Sequence, residues 1–94
     1  MRKKVATAGK KVRFEFRSDS GATVSVAGSF NGWDPGRNPM KENSGSGLYV
    51  ANLVLPKGRH EYKFVVNGDW QVDPNCSEWV PNGCGSLNSV MTVG

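Results

Sequence analysis

Eleven residues, 10–20, make the longest passage of this chain without glycine or proline. An average α-helix needs about that whole window, and the window does not use it. Val12, Phe14 and Phe16 alternate with Arg13, Glu15 and Arg17, the period of a half-buried strand. Cysteine is scarce too: two among 94 residues cannot build a disulfide scaffold. Free thiols are expected for Cys76 and Cys84, although they lie close enough to bridge if the loop between them folds back. No apolar run approaches membrane-spanning length. The basic start at residues 1–4 has no apolar core behind it before Lys10 and Lys11, so no export signal is expected and the expected compartment is the cytoplasm.

Carboxylates are missing from the first 13 residues, which hold Arg2, Lys3, Lys4, Lys10, Lys11 and Arg13. The formal net charge of +4 is therefore uneven: residues 14–94 carry 6 basic groups against all 8 acidic ones, a balance of −2. Residues 1–10 read as a basic, flexible arm and 11–94 as one domain, the most that this length allows. A basic chain raises nucleic-acid binding as a class, but here the charge describes the arm more than the domain. At 37% hydrophobic and 21% charged, with nine aromatic residues, the domain has the composition of a folded globule.

Short strands are expected at 11–18, 22–28, 47–55, 59–66, 69–72 and 87–93. The segments 37–47 and 73–85 read as connection and loop. On the fourth strand Tyr62, Phe64 and Val66 point inward and Glu61, Lys63 and Val65 outward. Asn67-Gly68 then marks a two-residue hairpin, because both residues tolerate positive φ. Six to eight short strands with turns at this spacing predict an all-β, immunoglobulin-like antiparallel sandwich.

Two tryptophans stand at turns: Trp33 after Asn31-Gly32, and Trp70 after Asn67-Gly68-Asp69. An indole beyond a tight turn is a flat platform. The C–H face of a pyranose matches it, since stacking removes apolar area from water while the hydroxyls stay wet. The plainer reading, that each indole caps the sandwich end, stays open. Lys63 projects outward on the strand leading into the second hairpin, beside Trp70 across the turn. Its ammonium offers three donors to sugar hydroxyls, although a lysine taken alone is usually a solvated one. Asn88 can both donate and accept, as a sugar hydroxyl does, or can simply be a turn residue. Trp79, in a loop with Pro81, can pack over the sandwich end, a reading preferred to its touching sugar. Zinc needs about four ligands, and Cys76, Cys84 and His60 do not supply them. A glycosidase needs two carboxylates flanking a cleft, whereas Asp34, Asp69 and Asp73 sit at turns, so no cofactor and no enzyme activity are expected.

The blocks Val24-Ser25-Val26-Ala27-Gly28-Ser29-Phe30-Asn31-Gly32-Trp33, His60-Glu61-Tyr62-Lys63-Phe64-Val65-Val66-Asn67-Gly68-Asp69-Trp70, Asp73-Pro74 and Leu87-Asn88-Ser89-Val90 resemble the glycogen-binding module family. This is carbohydrate-binding module family 48, found in the AMP-activated protein kinase β-subunit and at the N-termini of isoamylases and branching enzymes. The resemblance covers residues 12–93 and implies an early-set immunoglobulin-like fold. It also implies α-1,4-glucan stacked on Trp33 and Trp70, hydrogen bonds from Lys63 and Asn88, and a hydroxyl contribution from Ser86. Kinase-type members thread a leucine through a ring-shaped glucan; that position here is Cys84, a weaker candidate. The loop around it looks more like the bacterial, glucan-enzyme branch of the family.

Three function classes follow from these observations. The leading one is non-catalytic binding of glycogen, starch or malto-oligosaccharide, targeting or regulating glucan metabolism. The second is a docking module for a kinase-like or glucan-metabolising enzyme supplied in trans. The third, nucleic-acid binding through the basic arm and exposed aromatics, is disfavoured by the balance of the domain.

Overall fold

Every regular element of the computed structural model, which describes residues 9–76, 78–83 and 85–94, is a β-strand. There are eight: β1 (Gly9–Arg17), β2 (Val24–Gly28), β3 (Pro39–Glu42), β4 (Leu48–Pro56), β5 (Gly58–Val66), β6 (Asp69–Gln71), β7 (Trp79–Pro81) and β8 (Leu87–Val93). All pairings are antiparallel. They run β1-β4-β3-β2-β5-β8-β7, with β6 added to β5 as a hairpin arm.

The third strand makes this ladder a sandwich. Met40 and Pro39 pair with Val24 and Ser25 of β2, whereas Lys41 and Glu42 pair with Val50 and Tyr49 of β4. One short strand thus belongs to both layers, and the sheet curls over at that point. The result is an all-β, immunoglobulin-like sandwich, as the strand spacing predicts.

Between the layers lies the core that the alternation marks out. The register Phe14↔Ala51 and Phe16↔Tyr49 puts these residues on one face of β1 and β4. Tyr62, Phe64 and Val66 of β5, with Val24 and Val26 of β2, face them from the other layer. Phe14 meets Tyr62 edge-on, with centroids 5.0 Å apart at 70°, and Phe16 meets Phe64 at 5.0 Å. Each fully buried side chain of this size contributes about 1.5–3 kcal/mol, so these four rings are the main tie between layers. His60 is a buried, structural residue rather than a reactive one, its Nε2 lying 2.9 Å from the Pro56 carbonyl oxygen.

Gly28 closes one end. A Cβ there would come within 2.6 Å of both the Glu61 carbonyl oxygen and the Phe30 ring, a distance real side chains do not tolerate. Its lack of a side chain lets the chain leave β2 tightly against β5. The hairpin forms where Asn67-Gly68 predicts, with φ of 50° and 88° at the two turn residues. Asn67 also clasps β2, its backbone N–H donating to the Thr23 carbonyl and its side-chain oxygen accepting from the Thr23 N–H.

Three boundaries differ from expectation. The first strand starts at Gly9 and ends at Arg17, so Lys10, placed in the arm by charge alone, pairs with Leu55 and donates to the Gly94 carbonyl at 2.5 Å. The rest of the arm, 1–8, lies outside the described residues. The connection 37–47 contains β3, whose only buried side chain is Met40, too few apolar positions to show an alternation. The loop 73–85 contains β7, an edge strand ending at Pro81, a position where the missing N–H removes no ladder bond.

Candidate binding groove

Trp33 is held by an unusual backbone. Its φ of 61° is left-handed, a conformation that costs a non-glycine residue on the order of 1–3 kcal/mol unless the surroundings enforce it. Asn31 does the enforcing. This buried amide accepts from the Gly28 N–H at 2.9 Å and donates from Nδ2 to the Val26 carbonyl at 3.1 Å and to Asn38 Oδ1 at 2.6 Å. The N–H groups of Asn31 and Trp33 both donate to the Gly28 carbonyl. The Asn31-Gly32 pair is therefore a fastened loop that points the indole.

Trp70 is placed by register. It lies directly opposite Val65 across the hairpin, while Lys63 lies opposite Ala27 of β2. Trp70 and Lys63 thus share the outer face of the β5 layer as diagonal neighbours, within reach of long side chains. Trp70 is 45% exposed. Lys63 is not: it is 9% exposed, and its Nζ donates to Ser86 Oγ at 2.5 Å. No carboxylate pairs with this ammonium among the described residues.

Ser86 begins a polar chain along the groove floor. Asn82 donates from Nδ2 to Ser86 Oγ (3.1 Å) and to Asn88 Oδ1 (3.3 Å). Asn88, buried, donates to Glu61 Oε1 at 3.0 Å, and Arg59 donates to the other oxygen of Glu61 at 3.0 Å. Amide and carboxylate orientations are thereby fixed in series, so the floor presents set donors and acceptors rather than freely turning ones.

Trp33, Lys63, Trp70, Ser86 and Asn88 all line one open groove of about 690 Å³. The fold brings these five sequence candidates together. Cys84 lies outside the described residues, and with it any pairing of Cys84 to Cys76; Cys76 itself contacts the Glu78 carbonyl through its thiol at 3.1 Å. Four further lining residues, Ser29, Glu61, Pro81 and Asn82, were not singled out from sequence. Glu61 had a signal, since it shares the outward alternation of Lys63. Asn82 and Pro81 had none, because they face the groove only once β7 pairs with β8.

Behind the floor a second cluster braces the β6 arm. The Tyr62 hydroxyl donates to Asp73 Oδ2 at 2.6 Å, and the Asp73 N–H donates to the fully buried Ser89 Oγ at 2.7 Å. Burial, followed by the hydrogen bond and charge of Asp73, pushes the Tyr62 phenol far above its ordinary pKa, so it remains a proton donor. The turn role read for the aspartates is also visible: Asp34 Oδ1 accepts from the Gly36 N–H, and Asp73 Oδ1 from the Asn75 N–H.

The fold is thus a β-sandwich in which two tryptophans and a hydrogen-bonded polar floor line one open groove among the described residues. The chain belongs to the family described as the glycogen recognition site of AMP-activated protein kinase, whose profile matches residues 10–94. This is a non-catalytic domain family. Among individual proteins the chain is similar to the 5'-AMP-activated protein kinase subunit beta-2 of Homo sapiens, 37% identical over 76 residues, which is 81% of this chain and 26% of that subunit. The Mus musculus beta-2 subunit matches with the same identity, 27% of its length being covered. The beta-1 subunit of Sus scrofa is 37% identical over 73 residues, covering 78% of this chain and 56% of that sequence. The chain therefore spans about a quarter of the beta-2 subunits it matches.

Proposed function

We propose that this chain binds α-1,4-glucan (glycogen, starch-like chains or malto-oligosaccharides) in the groove between Trp33 and Trp70. The observation that carries the reading is the convergence on one face of two indoles with Lys63, Ser86 and Asn88. Each indole takes the C–H face of one glucose unit, removing apolar area from water. Lys63 spends one of its three donors on Ser86, and the remaining two serve sugar hydroxyls. Asn88, oriented by Glu61 and Asn82, sets which hydroxyls must donate and which accept. The module does no chemistry itself and acts by holding glucan near an enzyme of glucan metabolism, in the cytoplasm. Little area is buried against the cost of association, so affinity is weak, on the order of micromolar to millimolar. Isothermal titration with maltoheptaose tests this. Saturable heat that is lost in Trp70→Ala supports the reading, and absence of heat at millimolar sugar removes it.

Docking to a protein is the second reading. The relatives named above are subunits by name, and the far side of the sandwich carries an exposed row of Arg13, Glu15 and Arg17 on β1. A stoichiometric partner captured from native cytosol and retained after amylase treatment would favour docking over tethering through glucan.

A further inference from the structure

Large exposed apolar side chains are not spread evenly over this molecule. Of the four among the described residues, Trp70, Trp79 and Leu87 lie on β6, β7 and β8, and Val54 lies in the other layer. Trp70 belongs to the groove; Trp79 and Leu87 do not line it. The pairing Trp79↔Ser89 and Pro81↔Leu87 sets Trp79, Pro81 and Leu87 on one face of the β7–β8 ribbon. Val80 and Asn88, also paired, take the opposite face, the one that looks into the groove.

The reading preferred from sequence packs Trp79 over the sandwich end, yet it remains 40% exposed. Its indole N–H donates to the Asp73 carbonyl at 3.1 Å, which satisfies its one polar atom and fixes the ring against the 73–76 turn. That turn is itself pinned through Asp73 to Tyr62 and Ser89. The outcome is a braced, half-exposed indole on an edge strand with no further strand beside it. Pro81 connects this platform to the groove, since it lines the groove and shares the Trp79 face of β7. Two residues along a strand are about 6.5–7 Å apart, so Trp79 stands one such step from Pro81 at the groove rim.

We infer that Trp79, with Pro81 and Leu87, forms an additional sugar platform that engages glucan chains extending beyond the groove. The inference rests on the glucan reading above and adds a length-selective subsite to it. Short oligosaccharides fill the space between Trp33 and Trp70; longer ones cross the Pro81 rim and meet Trp79. Chain length, rather than linkage, is the property this platform reads.

The test is a length series, maltotriose against maltoheptaose and glycogen, titrated into wild type, Trp79→Ala and Trp79→Phe. Trp79→Ala is expected to weaken maltoheptaose and glycogen by roughly threefold or more and to leave maltotriose unchanged, while Trp79→Phe keeps most of the long-chain affinity. Equal affinities for wild type and Trp79→Ala at every length, or an equal loss at every length, overturn the platform while leaving groove binding intact. Failure of wild type to bind any of the sugars overturns the glucan reading itself, a result visible before any variant is made. Should Trp79→Ala not fold, the indole N–H resonance of Trp79 in the wild-type protein decides. A saturable shift with maltoheptaose but not maltotriose is expected, and no shift with either overturns the platform.

Discussion

The two layers of this sandwich turn opposite kinds of surface to the outside. On the β1–β4 layer the outward row stays open: Arg13 pairs with Glu15 in solvent, and Val54 stands 67% exposed. On the β5–β8 layer the outward residues Lys63, Val65, Asn88 and Val90 are all buried. Both rows alternate in the same way with core residues along their strands. The difference lies in what they meet: Lys63 and Asn88 bond to Ser86, Asn82 and Glu61, whereas Arg13 pairs with Glu15 beside it. A covered face can hold polar groups in set directions, as in the series from Lys63 through Ser86, Asn82 and Asn88 to Glu61. An open face gains little from its ion pairs, about 0–1 kcal/mol each.

The strongest way to disturb the contrast is from beneath, because both faces stand on the same core. Phe64→Ala removes a fully buried ring that meets Phe16 of the opposite layer and is expected to cost about 3–5 kcal/mol in urea unfolding. A loss under about 1 kcal/mol would mean that the layers do not depend on each other. Next comes Asn31→Ala. It strands the Gly28 N–H and the Val26 carbonyl, with an expected loss of about 1–3 kcal/mol. It should also weaken maltoheptaose binding, because the loop that carries Trp33 loses its side-chain clasp.

Trp70→Ala separates the faces directly. Maltoheptaose affinity should fall about tenfold or more with little change in thermal midpoint, since the indole is half exposed. Arg13→Ala, on the open face, should change neither quantity by more than the noise of an exposed pair. Equal binding losses from the two would remove the distinction between the faces.

The smallest effect concerns pH at the β3–β4 edge. The Glu42 carboxylate is held below its ordinary value of 4.5, chiefly by the Ser20 hydroxyl and then by the N–H groups of Gly47 and Gly21. A carboxyl pKa depressed by folding adds stability above the ordinary value, and that contribution is lost as pH falls through the folded-state value. Thermal midpoints of wild type and Glu42→Gln should therefore differ at neutral pH and converge as pH falls below 4.5 and through the lowered folded-state value. A constant gap across the range would assign the effect to shape rather than charge.

Much of this contrast was legible in the residues, and the exceptions share a cause. The core side of β1, β4 and β5 follows from alternation, and the Asn67-Gly68 turn from two residues suited to positive φ. Trp33, Trp70, Lys63 and Asn88 could be named because their types suit a sugar and stand at or near turns, and Ser86 through the resemblance to the glycogen-binding family. What alternation cannot express is cover. Lys63 and Val65 read as outward and are outward, yet both are buried, and Lys63 bonds to Ser86, 23 positions on. Glu61 and Asn82 acquire their roles only through partners on other strands, as does β7, whose three residues gain a ladder from β8 alone. Asn31 reads as a turn former, and its work as a buried clasp depends on Asn38, seven positions on.

Sharing β3 between the layers has a consequence for how the domain comes apart. Pro39 and Met40 cannot leave β2 without pulling on Lys41 and Glu42, which pair with β4, so neither layer can peel away by itself. Such a stitch favours unfolding in a single cooperative step. Amide protons in β4 and β5 should then exchange through one shared opening, with similar free energies, rather than layer by layer. A groove lined by residues of four strands and of turns would by this route borrow its persistence from the whole sandwich.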